Sequence, residues 1–244
     1  MPQLPVCAYG AGEYGALALP QNWMDDVEAS REQLQAQADV LRDELARQDC
    51  SAEVEVLMAE PAALDAAIAR RAMTCDLVLA CDAVRNSTNA AGRAVQAALF
   101  QIPVGLMING MRQAGALQPK RVLLAWNSGL PAGRAAHAAL PLLRAAEEVT
   151  VAVFDPVATP LRDGGNPGSD MARWLSRHGC KVDVQQYPSG EVEIGRAILD
   201  RARELQADLV VMGAWEHSRM RELILGGTTR TVMAQSEMPV LLAH

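Results

Sequence analysis

Aromatic side chains are nearly missing from this chain: two Phe, three Tyr and four Trp in 244 residues. The core must therefore be filled by Ala, Leu and Val, and with half of all residues apolar there is enough of them. An excess of basic charge is also missing. Twenty-two Lys and Arg face 29 Asp and Glu, a net charge of −7. That excludes general nucleic-acid binding, which needs a basic face for phosphates. No apolar run reaches membrane-spanning length, so no membrane partner is expected. The opening MPQLPVCAYG lacks the charged n-region and long apolar stretch of a secretory leader. The five cysteines (Cys7, Cys50, Cys75, Cys81 and Cys180) are odd in number and contain no C-x2-C pair. A reduced, cytoplasmic protein follows, with all five read as small buried hydrophobes. His137, His178 and His244 are scattered, without the His/Cys/Asp spacing of a metal site, and His217 reads as an exposed loop residue. Ser128 and Ser218 lack a G-x-S-x-G elbow, which argues against a hydrolase triad.

What is present is an alternation of strands and helices. Val6 to Tyr9 is a short strand candidate, and Gly10 to Gln21 reads as loop. Asn22 can cap a helix from Trp23 to Gln48, whose Val27, Leu34, Ala38, Leu41 and Leu45 share one face. Val54, Val56 and Met58 alternate as in a strand over Glu53 to Met58, and Pro61 starts a second helix. Asp76 to Cys81 is continuously apolar after its Asp, as buried parallel strands are. A polar loop over 82–89, an Ala-rich helix from Ala91 to Phe100 and a strand from Val104 to Ile108 follow. Asn109 to Pro119 is the best linker.

The second half begins at Lys120. Strands are expected at Arg121–Trp126, Val149–Phe154, Val182–Tyr187, Leu209–Met212 and Val240–Ala243. Helices are expected at Arg134–Glu147 with a kink at Pro141, from a Ser169 cap to His178, at Val192–Gln206, and before Pro239. Such alternation means βαβ units and a parallel sheet, an α/β fold.

The halves repeat each other. DLVLACD at Asp76 lines up with DLVVMGA at Asp208, and IPVGLMI at Ile102 with MPVLLAH at Met238. CSAEVEVL at Cys50 lines up with CKVDVQQY at Cys180, and VCAYG at Val6 with VAVFD at Val151. This is two related domains, 1–112 and 118–244. The first is degenerate. It is four residues shorter between its last two strands, where it holds Ser87, Thr88 and Gly92, and it has no counterpart of Lys120–Thr150. In a sheet of order 3-2-1-4-5 the missing first strand is the central one. Either a four-stranded sheet remains with its strands 2 and 4 closed on each other, another chain fills the gap, or the start codon was placed late.

The most informative stretch is Ala207 to His244. An apolar strand ends at Gly213, a polar loop follows, and Gly226-Gly227-Thr228-Thr229 leads into a helix. Strand, glycine, loop and a glycine-hydroxyl helix start are how a chain presents backbone N–H groups to a phosphate. These residues resemble the universal stress protein family in its tandem two-domain form, whose motif is G-x2-G-x9-G-[S/T]. Gly213 matches the first glycine, Glu216 stands at the second, Gly226 matches the third, and Gly227 takes the Ser/Thr place with Thr228 and Thr229 next. His217-Ser218-Arg219 and the final MPVLLAH fit the flanks, and VLLAWNSG at Val122 resembles the family's first strand and turn, with Asn127 for the family's Asp. The likeness covers residues 120–244 and, more weakly, 6–108.

The resemblance implies two flavodoxin-like (adenine nucleotide α-hydrolase-like) parallel-sheet domains with flanking helices. It also implies that Val104–Ile108 and Val240–Ala243 pair antiparallel within one chain. In nucleotide-binding members the first-strand Asp meets adenine or ribose, the second strand contacts adenine through its backbone, and the glycine loop holds the triphosphate. Carried over, the cofactor-binding positions are Asn127, Val153, Met212, Gly213, Trp215, Glu216, Gly226, Gly227, Thr228 and Thr229, with ATP as the cofactor. Glu216 counts against this. At ~4 Å and an effective dielectric near 20 its carboxylate would oppose a phosphate charge by about 4 kcal/mol before screening, with Arg219 and Arg230 as partial offsets.

Asn127 reads equally as a helix cap, and Trp126 and Trp215 as packing residues near strand exits. No residue presents itself as a general base, so slow ATP hydrolysis is the most chemistry implied. The function expected is a stress-response regulator with an adenine nucleotide in its C-terminal domain. The alternative is an interaction module of the same fold, without nucleotide, acting through a protein partner. The missing central strand makes a homodimer plausible.

Overall fold

The computed structural model describes residues 21–59, 61–81, 99, 101–110, 116–160, 163–214, 227–234 and 238–244. Residues up to 60 form one compact unit and residues from 61 onward another. Helix α1, Gln21–Arg47, makes up most of the described part of the first unit. After it the chain turns through Asp49, which takes a positive φ of 51°. Arg42 reaches back from α1 and donates from Nη2 to the Val54 carbonyl at 2.8 Å.

Residues 51–59 join no strand ladder among the described residues, which corrects the expectation of a strand at Glu53–Met58. Val54 and Val56 are half-buried between exposed neighbours, so the period-two pattern is real. Such a pattern describes an extended segment and does not supply a neighbour to pair with. The cysteine expectation is also corrected: Cys50, Cys75 and Cys81 are exposed, and Cys180 is buried. Val6–Tyr9, the 82–89 loop, most of the Ala91–Phe100 helix and Cys7 lie outside the described residues.

The second unit is built on a sheet of seven strands among the described residues: β1 Leu77–Ala80, β2 Gly105–Ile108, β3 Arg121–Trp126, β4 Glu148–Phe154, β5 Val182–Tyr187, β6 Leu209–Gly213 and β7 Val240–Ala243. Their order across the sheet is β1-β2-β7-β6-β3-β4-β5. The last five strands of the chain thus reproduce the order 3-2-1-4-5, and all their pairings are parallel. β1 and β2 are parallel to each other. The one antiparallel pair is β2 with β7, in the register Leu106↔Leu242, Met107↔Leu241 and Ile108↔Val240. The expected antiparallel pairing of the two final strands is therefore present, and it fuses both halves into one sheet. At this seam Asn109 leaves β2 at a φ of 58° and donates from Nδ2 to the Met238 carbonyl at 2.9 Å.

Helices cover both faces, which is why the central strands read as unbroken apolar runs. On one face Leu106, Leu123, Val210, Val240 and Leu242 pack with Ala69 and Ala72 of α2 (Pro61–Ala72) and with Ile198, Leu199 and Ala202 of the helix after β5. On the other, Val122, Leu124, Val211 and Leu241 pack with Ala135, Ala136, Leu143 and Leu175. These last four belong to α3 (Leu130–Ala138), α4 (Leu140–Ala145) and α5 (Ser169–Arg177). The break between α3 and α4 at Ala139 is the expected Pro141 kink: proline has no N–H to continue the ladder, and it sits in the first turn of α4. The cap of α5 is Gly168 at a φ of 85°, with Ser169 as the first helical residue. Glycine is required there, because a methyl group would lie 2.9 Å from Val184 Cγ1 and 3.0 Å from Val153 Cγ2. Helices α6 (Ile194–Glu204) and α7 (Gly227–Ala234) complete the described elements.

Candidate functional site

In a sheet of order 3-2-1-4-5 the chain leaves strands 1 and 4 toward opposite faces, and a crevice opens at their C-terminal ends. Here those strands are β3 and β6. A cavity of about 380 Å³ lies there. Its floor is the exits of β3 (Ala125, Trp126) and β6 (Met212, Gly213), with Phe154 from the end of β4. One wall is Asn127 and the first turn of α3, Pro131 and Ala132. The other is the first turn of α7, Gly227 to Thr229, with Ile194 and Ile198 of α6. Among the described residues the lining holds no charged side chain.

Asn127 is held by local geometry. Its Oδ1 accepts the Gly129 amide at 3.1 Å, and Ser128 between them takes a φ of 57°. This turn starts α3, whose N-cap is Gly129 and whose first turn contains Pro131. With Oδ1 occupied, Asn127 offers the cavity the two N–H bonds of Nδ2.

Gly213 has a packing role as well as a motif position. A methyl group on it would lie 2.5 Å from Ala132 N and 2.6 Å from the Pro131 carbonyl carbon. Only glycine lets the end of β6 approach α3 this closely.

The first turn of α7 is placed by Gly195. A methyl group there would lie 2.9 Å from the Thr228 carbonyl oxygen and 3.0 Å from Thr231 Cβ, so α6 and α7 touch backbone to backbone. Thr229 is buried, while Gly227 is exposed. No acidic residue stands in the first turn of α7 itself. A carboxylate arrives from Glu193 instead, whose Oε2 accepts the Thr231 hydroxyl at 2.6 Å. Its Oε1 lies 3.5 Å from where a Gly227 side chain would begin.

Beside the cavity, the loops after β4 and β5 are tied together. Asp155, at a φ of 46°, accepts the Ser189 amide at 2.8 Å on Oδ1 and the Ser189 hydroxyl on Oδ2. The hydroxyl bond, then the amide bond, hold the Asp155 carboxyl below the usual carboxylate range.

The cavity brings together Asn127, Met212, Gly213, Gly227, Thr228 and Thr229. Val153 is buried in β4 beneath Gly168, and its neighbour Phe154 faces the cavity in its place. Trp215, Glu216 and Gly226 lie outside the described residues. Trp126, Phe154, Ile194 and Ile198 were not singled out as site residues from the sequence. The sheet order was the available signal, because it makes the exits of β3, β4 and β6 converge. A second hollow of about 820 Å³ lies where the halves join, lined by Asp76, Gln101, Arg134, His137 and His244 among others. It is away from the switch point, and its Arg134 guanidinium is bonded to the His244 carbonyl at 2.7 Å. Among the described residues no group of three His, Cys, Asp or Glu is placed to hold a metal ion, and no helix is long and apolar enough to cross a membrane.

The profile of the universal stress protein family matches residues 119–244, the segment that contains β3 to β7 and the cavity. The chain is 29% identical over 63 residues to stress response protein NhaX of Bacillus subtilis, covering 24% of this chain and 38% of that one. It is 36% identical over 67 residues to universal stress protein Slr1230 of Synechocystis, covering 28% of this chain and 22% of that one. The matched segments thus span well under half of either relative. Among solved structures, a universal stress protein from Archaeoglobus fulgidus superposes with a TM-score of 0.65 at 18% identity, over 92% of this chain and 79% of the other. A protein of unknown function from Pseudomonas aeruginosa superposes at 0.50 and 17% identity, over 86% and 77% of the two chains. These likenesses show a shared fold, and the profile match carries the assignment: the chain belongs to the universal stress protein family.

Proposed function

We propose that the cavity between β3 and β6 binds an adenine nucleotide, and that the chain is a stress-response regulator whose C-terminal half, 118–244, senses that ligand. The observation that carries this reading is the juxtaposition, across about 380 Å³, of the Asn127 amide with the first turn of α7. The volume falls within the ~300–1,000 Å³ usual for small-molecule sites. An apolar floor with Trp126 and Phe154 suits a flat base, and the positive end of the α7 dipole suits a phosphate. ATP is among the ligands this site would take. The nucleotide acts as an effector, because no residue on the cavity wall is a general base among the described residues.

The first half, 1–112, would be the degenerate partner in this arrangement. It supplies β2 to cover the edge of β7, as a second copy would in a simpler dimer. Further pairing of whole chains, and a cytoplasmic location, belong to the same proposal.

One observation favours a second reading, an interaction module without nucleotide. Gly213 is fully accounted for by its approach to Ala132, so its presence in the motif does not by itself require a phosphate. Calorimetric titration with ATP and AMP of the wild type and of Glu216→Gly separates the two. Heat of binding from the wild type supports the nucleotide reading. Binding by the Glu216→Gly variant alone supports the interaction module, with Glu216 as the residue that closed the site.

A further inference from the structure

We propose that the outer edge of β1 is a docking site for an extended apolar segment of a partner protein, which joins the sheet as a parallel strand led by a basic residue. This interaction is independent of the nucleotide reading. It follows from the two halves of one sheet. β1 repeats β6, with Asp76-Leu77-Val78-Leu79-Ala80 in the places of Asp208-Leu209-Val210-Val211-Met212. In the second half the far side of β6 is covered by β3, paired Val122↔Leu209, Leu123↔Val210 and Leu124↔Val211. In the first half β1 ends the sheet among the described residues. Leu209 and Val211 are fully buried, whereas Leu79, the counterpart of Val211, is 43% exposed.

The backbone of β1 is turned to receive a neighbour. The Val210 amide donates to the Pro239 carbonyl at 3.0 Å, on the β7 side. Residues along a strand alternate in the neighbour they bond, so Leu209 and Val211 serve β3. Val78 packs on the same face of the sheet as Val210. β1 runs opposite to β6 on the other side of the antiparallel β2–β7 seam. By that two-fold relation Val78 and Ala80 bond β2, and Leu77 and Leu79 present their N–H and C=O groups outward. Another strand is what such groups bond best. The other edge of the sheet, β5, carries Asp183, Gln185 and Gln186, which discourage pairing, and β1 carries no polar residue.

The head of the incoming strand has a seat as well. In the second half Asp208 Oδ2 accepts the Lys120 and Arg121 amides, both at 2.9 Å, and Arg121 donates from Nε to the Gln206 carbonyl at 3.0 Å. Asp76 and Thr74 hold the places of Asp208 and Gln206. Asp76 is exposed, and no amide bonds its carboxylate among the described residues. Its negative charge complements a Lys or Arg at the head of a segment that runs parallel to β1.

The probe is a fluorescent peptide KRVLLAWN, a copy of residues 120–127, titrated into the full chain by fluorescence anisotropy. Saturable binding is expected, about tenfold weaker for Asp76→Ala and lost for Leu79→Pro. Proline is tolerated at an edge position whose N–H faces outward, and a thermal melt verifies that the variant is folded. A peptide with both leucines replaced by proline should also fail, whatever that melt shows. Direction is read from Cys75 and Cys81, both exposed, which flank β1. A thiol-reactive group at the peptide's N-terminus should label Cys75. Absence of saturable binding, or binding that Leu79→Pro and the proline peptide both retain, overturns the docking site. Label on Cys81, or spread evenly over the exposed cysteines, overturns the parallel arrangement. A wild-type dimer in sedimentation that Leu79→Pro dissociates assigns the edge to a second copy of this chain and overturns the proposed occupant.

Discussion

The α-carbon of Gly213 faces the first turn of α3 so closely that a methyl group on it would stand 2.5 Å from the nitrogen of Ala132. This contact sets the width of the crevice between β6 and α3, since both residues line the cavity. Gly213→Ala must push the helix or the strand exit aside. The expected cost is about 1–3 kcal/mol, measured by urea unfolding, with nucleotide affinity falling in parallel. A variant as stable as the wild type would show that β6 and α3 have slack between them.

Asn127 is expected to contribute through its turn and through its free amide. Asn127→Ala removes the bond to Gly129 N and should cost about 0.5–1.5 kcal/mol in a denaturant melt. Asn127→Asp keeps an acceptor for Gly129, so its stability should stay close to the wild type. It replaces the Nδ2 donors by the carboxylate acceptor expected at this place to meet adenine or ribose, so its AMP affinity should rise several-fold. Equal affinities for the two proteins would place the nucleotide away from Asn127.

The seam between the halves makes its own prediction. Asn109 occupies a left-handed conformation and bonds the Met238 carbonyl. Asn109→Gly removes the side chain with its bond to Met238 and keeps the backbone conformation, at a cost of about 1 kcal/mol for that bond. Asn109→Ala loses the bond and also strains the backbone, about 1–2 kcal/mol more. Denaturant melts of both should give that order, and the reverse order would contradict the backbone placement.

Acid should release the Asp155 clamp. Ser189 holds the Asp155 carboxyl below its ordinary range in the fold. A depressed native pKa stabilises the fold above the unfolded value of about 3.9 and stops doing so as the pH falls through the native value. The melting temperatures of wild type and Asp155→Asn should therefore differ by a constant amount near neutral pH and converge in strong acid. A gap that persists to the lowest pH would remove the clamp from the account.

Cysteine labelling checks the burial pattern. Burial pushes the Cys180 thiol up, with Arg144 opposing it, while Cys50, Cys75 and Cys81 are exposed. A brief pulse of iodoacetamide on the native protein, read by peptide mass mapping, should label those three well before Cys180.

Much of the C-terminal sheet was legible because its strands are buried on both faces. Runs such as VLLAW at Val122 and LVVM at Leu209 have no other economical reading, and the repeat gave the antiparallel seam through the family resemblance. Glu53–Met58 misled because alternation reports which side of a segment is covered and is silent about neighbours. The site was half legible. The glycine motif named the α7 terminus, and Asn127 followed from the first-strand turn. Glu193 and Ile194 were not visible, because only the close approach of Gly195 to Thr228 carries the start of α6 to the motif. Nor could the sequence say that Gly213 answers to Ala132, since that contact is tertiary.

The proposed function places one adenine nucleotide between Asn127 and α7. Amide chemical-shift mapping of the labelled protein during titration with AMP tests it most directly. Saturable shifts are expected, concentrated at Ala125–Ala132, Met212–Ala214 and Gly227–Thr231. An unchanged spectrum, or shifts centred on Gly105–Ile108 and the seam with β7, would contradict it.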